Sequence, residues 1–210
     1  MANKKRRNEI QQAHQRKIQG QKYDAAVKKI RIFPIIAIGI SVLVLALLFV
    51  TFANIYNSAV GVEVKVSGWS FAIAGLTGKF TSPDAVYGDL AHPFYTFAAK
   101  WCESIATLTL VAAILVLVMI IVAVVSIIRQ NYALNLISAV LSLAVFVLLI
   151  VCYVKGVDMV HSDIIPIYCS GNPLCSIQSY AIFPALFALG VVPVSIIAAI
   201  KYFIARKLLK

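Results

Sequence analysis

The sequence predicts an all-α membrane protein. It would have four transmembrane helices, N and C termini cytoplasmic, and a small β-hairpin-containing extracellular subdomain between helices 1 and 2. Three observations predict it. First, 61% of the 210 residues are hydrophobic and only 13% are charged, with a mean hydropathy of +0.92. Soluble domains lie at about 45–50% apolar and about 25% charged. An ordinary soluble domain is therefore excluded, as are a disordered chain and a disulfide-dense secreted mini-domain. Second, four continuous apolar segments each reach the roughly 20 residues that a spanning helix needs. Third, 15 of the 19 Lys/Arg residues fall in the two ends and the short loop between the second and third segments. Lys/Arg excess marks the cytoplasmic side.

The spans are read as 32–55, 105–128, 134–154 and 180–200. Their cores contain no Asp, Glu, Lys, Arg or His. The apolar runs are continuous rather than alternating, which excludes a transmembrane β-barrel. The first span is expected to be retained: it follows a polar tail, is long, and lacks a small-residue cleavage site. Between the spans lie an outer loop at 56–104, a short cytoplasmic loop at 129–133 and a second outer loop at 155–179. A basic cytoplasmic end occupies 201–210.

Residues 1–31 form a basic tail, partly an amphipathic helix. Tyr23, Ala26, Val27 and Ile30 follow i, i+3, i+4, i+7 and make one apolar stripe. Lys22, Lys28, Lys29 and Arg31 lie off it and are expected to contact anionic lipid headgroups, at about 1 kcal/mol each near a membrane surface. Nucleic-acid binding through Lys4–Arg7 is the disfavoured reading, because charge beside a first span already sets topology.

In the first outer loop Val62, Val64 and Val66 alternate with Glu63, Lys65 and Ser67, a period of two that predicts a strand. Ser67-Gly68 can turn the chain. Trp69, Phe71 and Ile73 then alternate with Ser70, Ala72 and Ala74, which predicts a second strand. His92-Pro93 marks a helix start, and no strong breaker follows before Ile128. That helix is about 54 Å long at 1.5 Å per residue, longer than the bilayer core of about 30 Å. Trp69, Phe71, Phe94, Tyr95 and Trp101 are a possible interaction surface; the competing reading is a local apolar core with interfacial anchors.

Cys169 and Cys175 flank Gly171-Asn172-Pro173, a strong turn signal, in a loop expected to face outward. A disulfide between them is expected. Cys102 and Cys152 sit at similar depth and either pair or remain free. His92 and His161 share the outer loops with Asp89, Asp158 and Asp163, and are expected to be solvated rather than metal-bound. No catalytic or phosphate-loop motif is present, and no cofactor is expected. The third span carries Ser138-x-x-x-Ser142 beside Ala139, a small face suited to close helix packing. The fourth carries Pro184, Gly190 and Pro193, which predict a kink.

Four spans with both ends inside, the strand pattern of Val62–Val66 and the Gly68-Trp69 pair resemble claudin-like tetraspan proteins. The resemblance covers topology and about ten residues. It implies an adhesive, scaffolding or accessory role. In span count and outward cysteines the chain is also similar to quinone-using thiol oxidoreductases, though it has no Cys-x-x-Cys pair. The leading expectation is a non-enzymatic plasma-membrane protein that contacts other membrane proteins, or itself, through the first outer loop and its membrane faces. A small transport component or oligomeric pore comes second, and an outward-facing thiol oxidoreductase third.

Overall fold

The computed structural model describes residues 2–57, 62–77, 92–159, 175–179 and 182–207. Its elements, in chain order, are α1 (Ala2–Ile30), α2 (Ile32–Leu47), β1 (Thr51–Asn57), β2 (Val62–Ser67), α3 (Gly68–Thr77), α4 (His92–Arg129), α5 (Tyr132–Met159), β3 (Cys175–Ser179) and α6 (Ile182–Lys207). Among the described residues four helical stretches are long and apolar enough to cross a membrane: His14–Leu47, Ile105–Arg129, Tyr132–Val157 and Ile182–Lys207. The chain has the make-up of a multi-pass integral membrane protein.

Helices α2, α4, α5 and α6 form an up-down-up-down bundle. Each packs on its two neighbours in the cyclic order α2–α4–α5–α6. Their buried positions share one rhythm. In α2 they are Pro34, Ala37, Ser41 and Val44, continued by Leu48. In α4 the series runs Ile105, Thr109, Ala112, Val116, Met119, Ala123, Ser126. In α5 it runs Asn135, Ser138, Ser142, Val145, Leu149, Cys152. In α6 it runs Pro184, Ala188, Val191, Ser195, Ala198, Tyr202, Ala205. Steps of three and four alternate throughout, a 3.5-residue period that keeps one seam facing its partners in left-handed, nearly aligned packing. Large apolar side chains such as Ile121, Val140 and Ile204 point outward and are more than half exposed. Lipid-facing bulk around a small, partly polar seam is the membrane arrangement, where close approach of backbones drives association.

α1 and α2 are almost one helix. Arg31 keeps right-handed helical dihedrals, and the Arg31 N–H donates to the Val27 carbonyl at 3.1 Å. Pro34 supplies no N–H for the Ile30 carbonyl, which accounts for the break at Arg31. Asn131 starts α5: its Oδ1 accepts from the Ala133 N–H at 3.0 Å, an N-cap. Gln130, the turn between α4 and α5, has φ of 50°.

The strands form a three-stranded antiparallel sheet ordered β2-β1-β3. Two sequence readings change here. The apolar run carries the expected first span to Ile55, but α2 ends at Leu47 and 51–57 is strand β1. Phe52, Ile55 and Tyr56 satisfy hydropathy and β-propensity alike, so an apolar count extends the span through them. The predicted strand over Trp69–Ala74 is helix α3 instead. Ser67 is its N-cap: the Ser67 hydroxyl oxygen accepts from the Ser70 N–H at 3.1 Å. Gly68, Phe71 and Ala72 are buried and Gly75 is half-buried, an i, i+3, i+4, i+7 stripe hidden inside an apparent alternation. The strand that pairs with β2 is β1, upstream of it. α6 continues to Lys207, so most of the basic end 201–210 is helical.

Candidate functional site

Among the described residues, the buried polar side chains are Ser41, Thr109, Ser126, Asn135, Ser138, Ser142 and Ser195, all on the seam. Most find partners within the bundle. The Ser142 hydroxyl donates to the Ala188 carbonyl across the α5–α6 interface. The Ser195 hydroxyl reaches Ser138 Oγ at 3.4 Å. Thr109 Oγ1 and Cys152 Sγ lie 3.7 Å apart between α4 and α5. Ser41 donates to the Ala37 carbonyl at 2.7 Å within its own helix. The Ser126 hydroxyl and the Tyr202 phenol have no partner. No group of three or more His, Cys, Asp or Glu that could hold a metal occurs among the described residues. The seam thus joins helices, and among the described residues its buried positions hold no Asp, Glu, Lys, Arg or His.

At the sheet end, Trp69 closes the C-terminus of α2. Its backbone N–H donates to the Leu48 carbonyl at 2.9 Å, and its indole Nε1–H donates to the Leu45 carbonyl at 3.2 Å. The Phe49 and Val50 N–H groups take the Ala46 and Leu47 carbonyls. The orphan carbonyls of a helix end are thereby satisfied, a strict need near hydrocarbon. The Phe49 ring lies 4.6 Å from the Trp69 ring, tilted by 31°. Phe71 is buried in the core with Ile105 and Ala106. Of the five aromatics read as a possible interaction surface, these two are internal anchors, because α3 turns them toward α2 and α4. Phe94, Tyr95 and Trp101 lie on α4, but their side chains are outside the described residues. Cys169 and the Cys175 side chain are outside them too, although the Cys175 backbone belongs to β3. Cys152 is a free, buried thiol.

At the other end, the stripe of Tyr23, Ala26, Val27 and Ile30 packs against Tyr202, Ala205, Phe33 and Tyr132. The Tyr23 hydroxyl donates to Gln130 Oε1 at 3.3 Å. The stripe is therefore turned to α6 and the α4–α5 turn, while Lys22, Lys28, Lys29 and Arg31 are exposed. The Lys201 ammonium sits 4.6 Å over the Phe33 ring. Beside this cluster an open cleft of about 390 Å³ is lined by Tyr132, Phe203, Arg206 and Lys207. In the sequence Arg206 and Lys207 stand out as topological charge; the signal for the cleft is their i+3 and i+4 spacing from Phe203 on one face of a continuing helix.

Comparison with known family models, with curated proteins and with solved structures finds no match for this chain.

Proposed function

We propose that this chain is a non-enzymatic plasma-membrane protein, a structural or accessory subunit that associates with other membrane proteins or with itself. One observation carries the reading. The seam hydroxyls Ser138, Ser142 and Ser195 join α5 to α6, and the buried set among the described residues contains no Asp, Glu, Lys, Arg or His of the kind that marks transport paths. In this reading both termini are cytoplasmic, with the sheet and the start of α4 on the outer side. The Lys/Arg distribution supports that sidedness. Lys22, Lys28, Lys29 and Arg31 contact anionic headgroups from the inner face. The partner surface comprises the lipid-facing bulk of the helices and the outer edges of β2 and β3, which flank β1 in the sheet and can template further strand pairing. The claudin-like resemblance fits this role. A 169–175 disulfide would staple the loop ahead of β3.

Gentle detergent extraction, affinity capture and native mass measurement test the proposal. A stoichiometric foreign protein or a defined homo-oligomer is the expected result. A monomer that conducts ions in planar bilayers, or that oxidises a dithiol with quinone, would replace this reading by the transport or redox one.

A further inference from the structure

The cleft at the termini end has the construction of an anion site. Tyr132 is the first residue of α5, so the positive end of a 28-residue helix borders the cleft. Arg206 and Lys207 lie in the last turn of α6. The Lys207 ammonium is held 4.8 Å over the Phe203 ring, and Tyr132 meets that ring edge-on at 5.6 Å and 76°. Neither 132–157 nor 182–207 contains an Asp or Glu, so neither helix offers a carboxylate along these stretches to neutralise the pair. The volume of about 390 Å³ falls in the range of about 300–1,000 Å³ for small-ligand sites.

We infer that this cleft binds a phosphate ester, gripped by the Arg206 guanidinium and the Lys207 ammonium, with Tyr132 and Phe203 as its apolar wall. Arg offers a planar fork matched to phosphate oxygens, and Lys a point charge. Two features favour a phospholipid headgroup as the source of the ester. Above the cleft, Leu136 and Val140 of α5 and Ile196 and Ile200 of α6 are exposed and apolar. An acyl chain has these side chains to lie against once its headgroup is seated. A soluble ester would use the polar mouth alone. The inference rests on the membrane reading, but it does not depend on any protein partner.

Native mass spectrometry on the full chain, released from nanodiscs of phosphatidylcholine with or without phosphatidylglycerol, tests it. Wild type is expected to retain one phosphatidylglycerol per chain. R206Q/K207Q is expected to retain about 30-fold less, at roughly a factor of five per cation. K28Q/K29Q removes the same charge from exposed sites on α1; it is expected to leave the single retained lipid in place. The charge-keeping swap R206K/K207R should retain most of the lipid, which separates recognition from misfolding. Loss of retained lipid in K28Q/K29Q equal to that in R206Q/K207Q would overturn the site in favour of diffuse charge. Retention unchanged in R206Q/K207Q would overturn it outright. Displacement of the lipid by millimolar glycerol 3-phosphate would keep the phosphate site and assign it to a soluble ester.

Discussion

A Cβ on Gly75 would stand 2.6 Å from the Ala106 carbonyl oxygen and 3.1 Å from Leu110 Cβ. Backbone is on the other side of that contact, so the strain cannot be relieved by a rotamer change. Gly75→Ala is expected to destabilise the fold by about 1–3 kcal/mol, despite the better helix propensity of alanine. At Gly39 a Cβ meets nothing within 4 Å, so Gly39→Ala is expected to be neutral or slightly stabilising. Thermal unfolding in detergent compares the two; equal shifts would mean that α3 is not seated on α4. Tyr202 poses the opposite case. Its phenol oxygen is buried without a partner, which costs about 1–3 kcal/mol of desolvation, while its ring fills the junction with Val27 and Ile30. Tyr202→Phe keeps the ring and removes the orphan. An unchanged or higher Tm is expected, and a clear fall would reveal a hydrogen bond to a bound molecule. Neither residue announces its role in the sequence. Gly75 follows the predicted second strand and Tyr202 falls in the basic end 201–210, and both roles are created by what a distant helix brings against them.

At the scale of elements, the α5–α6 interface depends on small side chains more than on the hydrogen bonds they make. Interhelical hydrogen bonds in membrane bundles contribute about 0.6 kcal/mol on average. Ser142→Ala should therefore cost little. Ser142→Leu forces a large side chain into a fully buried position and should cost about 1–3 kcal/mol. Titration from mild detergent into sodium dodecyl sulfate, read by helicity, measures both; similar losses for the two variants would make the hydrogen bond the dominant element. Element existence was readable where a single signal dominated. The helix start at His92-Pro93 and the apolar runs of the later spans are visible in the sequence because proline and hydropathy each point one way. The boundary at Leu47 and the nature of Trp69–Ala74 were not. Phe52–Tyr56 suits membrane and strand equally. Trp69, Phe71 and Ile73 alternate by accident of composition, and only the Ser67 cap and the burial of Gly68, Phe71 and Ala72 disclose a helix.

At the scale of the whole molecule, the seam mixes kinds of side chain that a soluble bundle separates. Its alternating three- and four-residue steps gather the buried Ser, Thr and Asn residues and many alanines beside Leu48, Val116, Met119 and Leu149, while large apolar side chains also cover the outside. A hydropathy profile cannot show this, since every face of each helix is apolar; the placing of the small and polar residues marks the seam. The same architecture gives α1 its geometry. It prolongs α2 with one missing hydrogen bond and docks through Tyr23–Ile30 on α6, so it leaves the bundle along the first span rather than from a flexible joint. Residues 14–19 beyond the dock are exposed. An unpacked helix of that length is marginal in water and frays, whereas the docked turn is held by buried Val27 and Ile30. Trypsin should therefore cut fast after Arg16, Lys17 and Lys22, and slowly after Lys28 and Lys29. In the proposed topology, with both termini cytoplasmic, those cuts should occur in inside-out vesicles and be absent in sealed right-side-out ones. Mass spectrometry of the released peptides reads rate and sidedness together. Cutting from the outer face would reverse the topology. Equal rates along the tail would show that the α1–α6 contact does not persist in the membrane, and Tyr202→Ala, which empties the dock, should produce that equal-rate pattern deliberately.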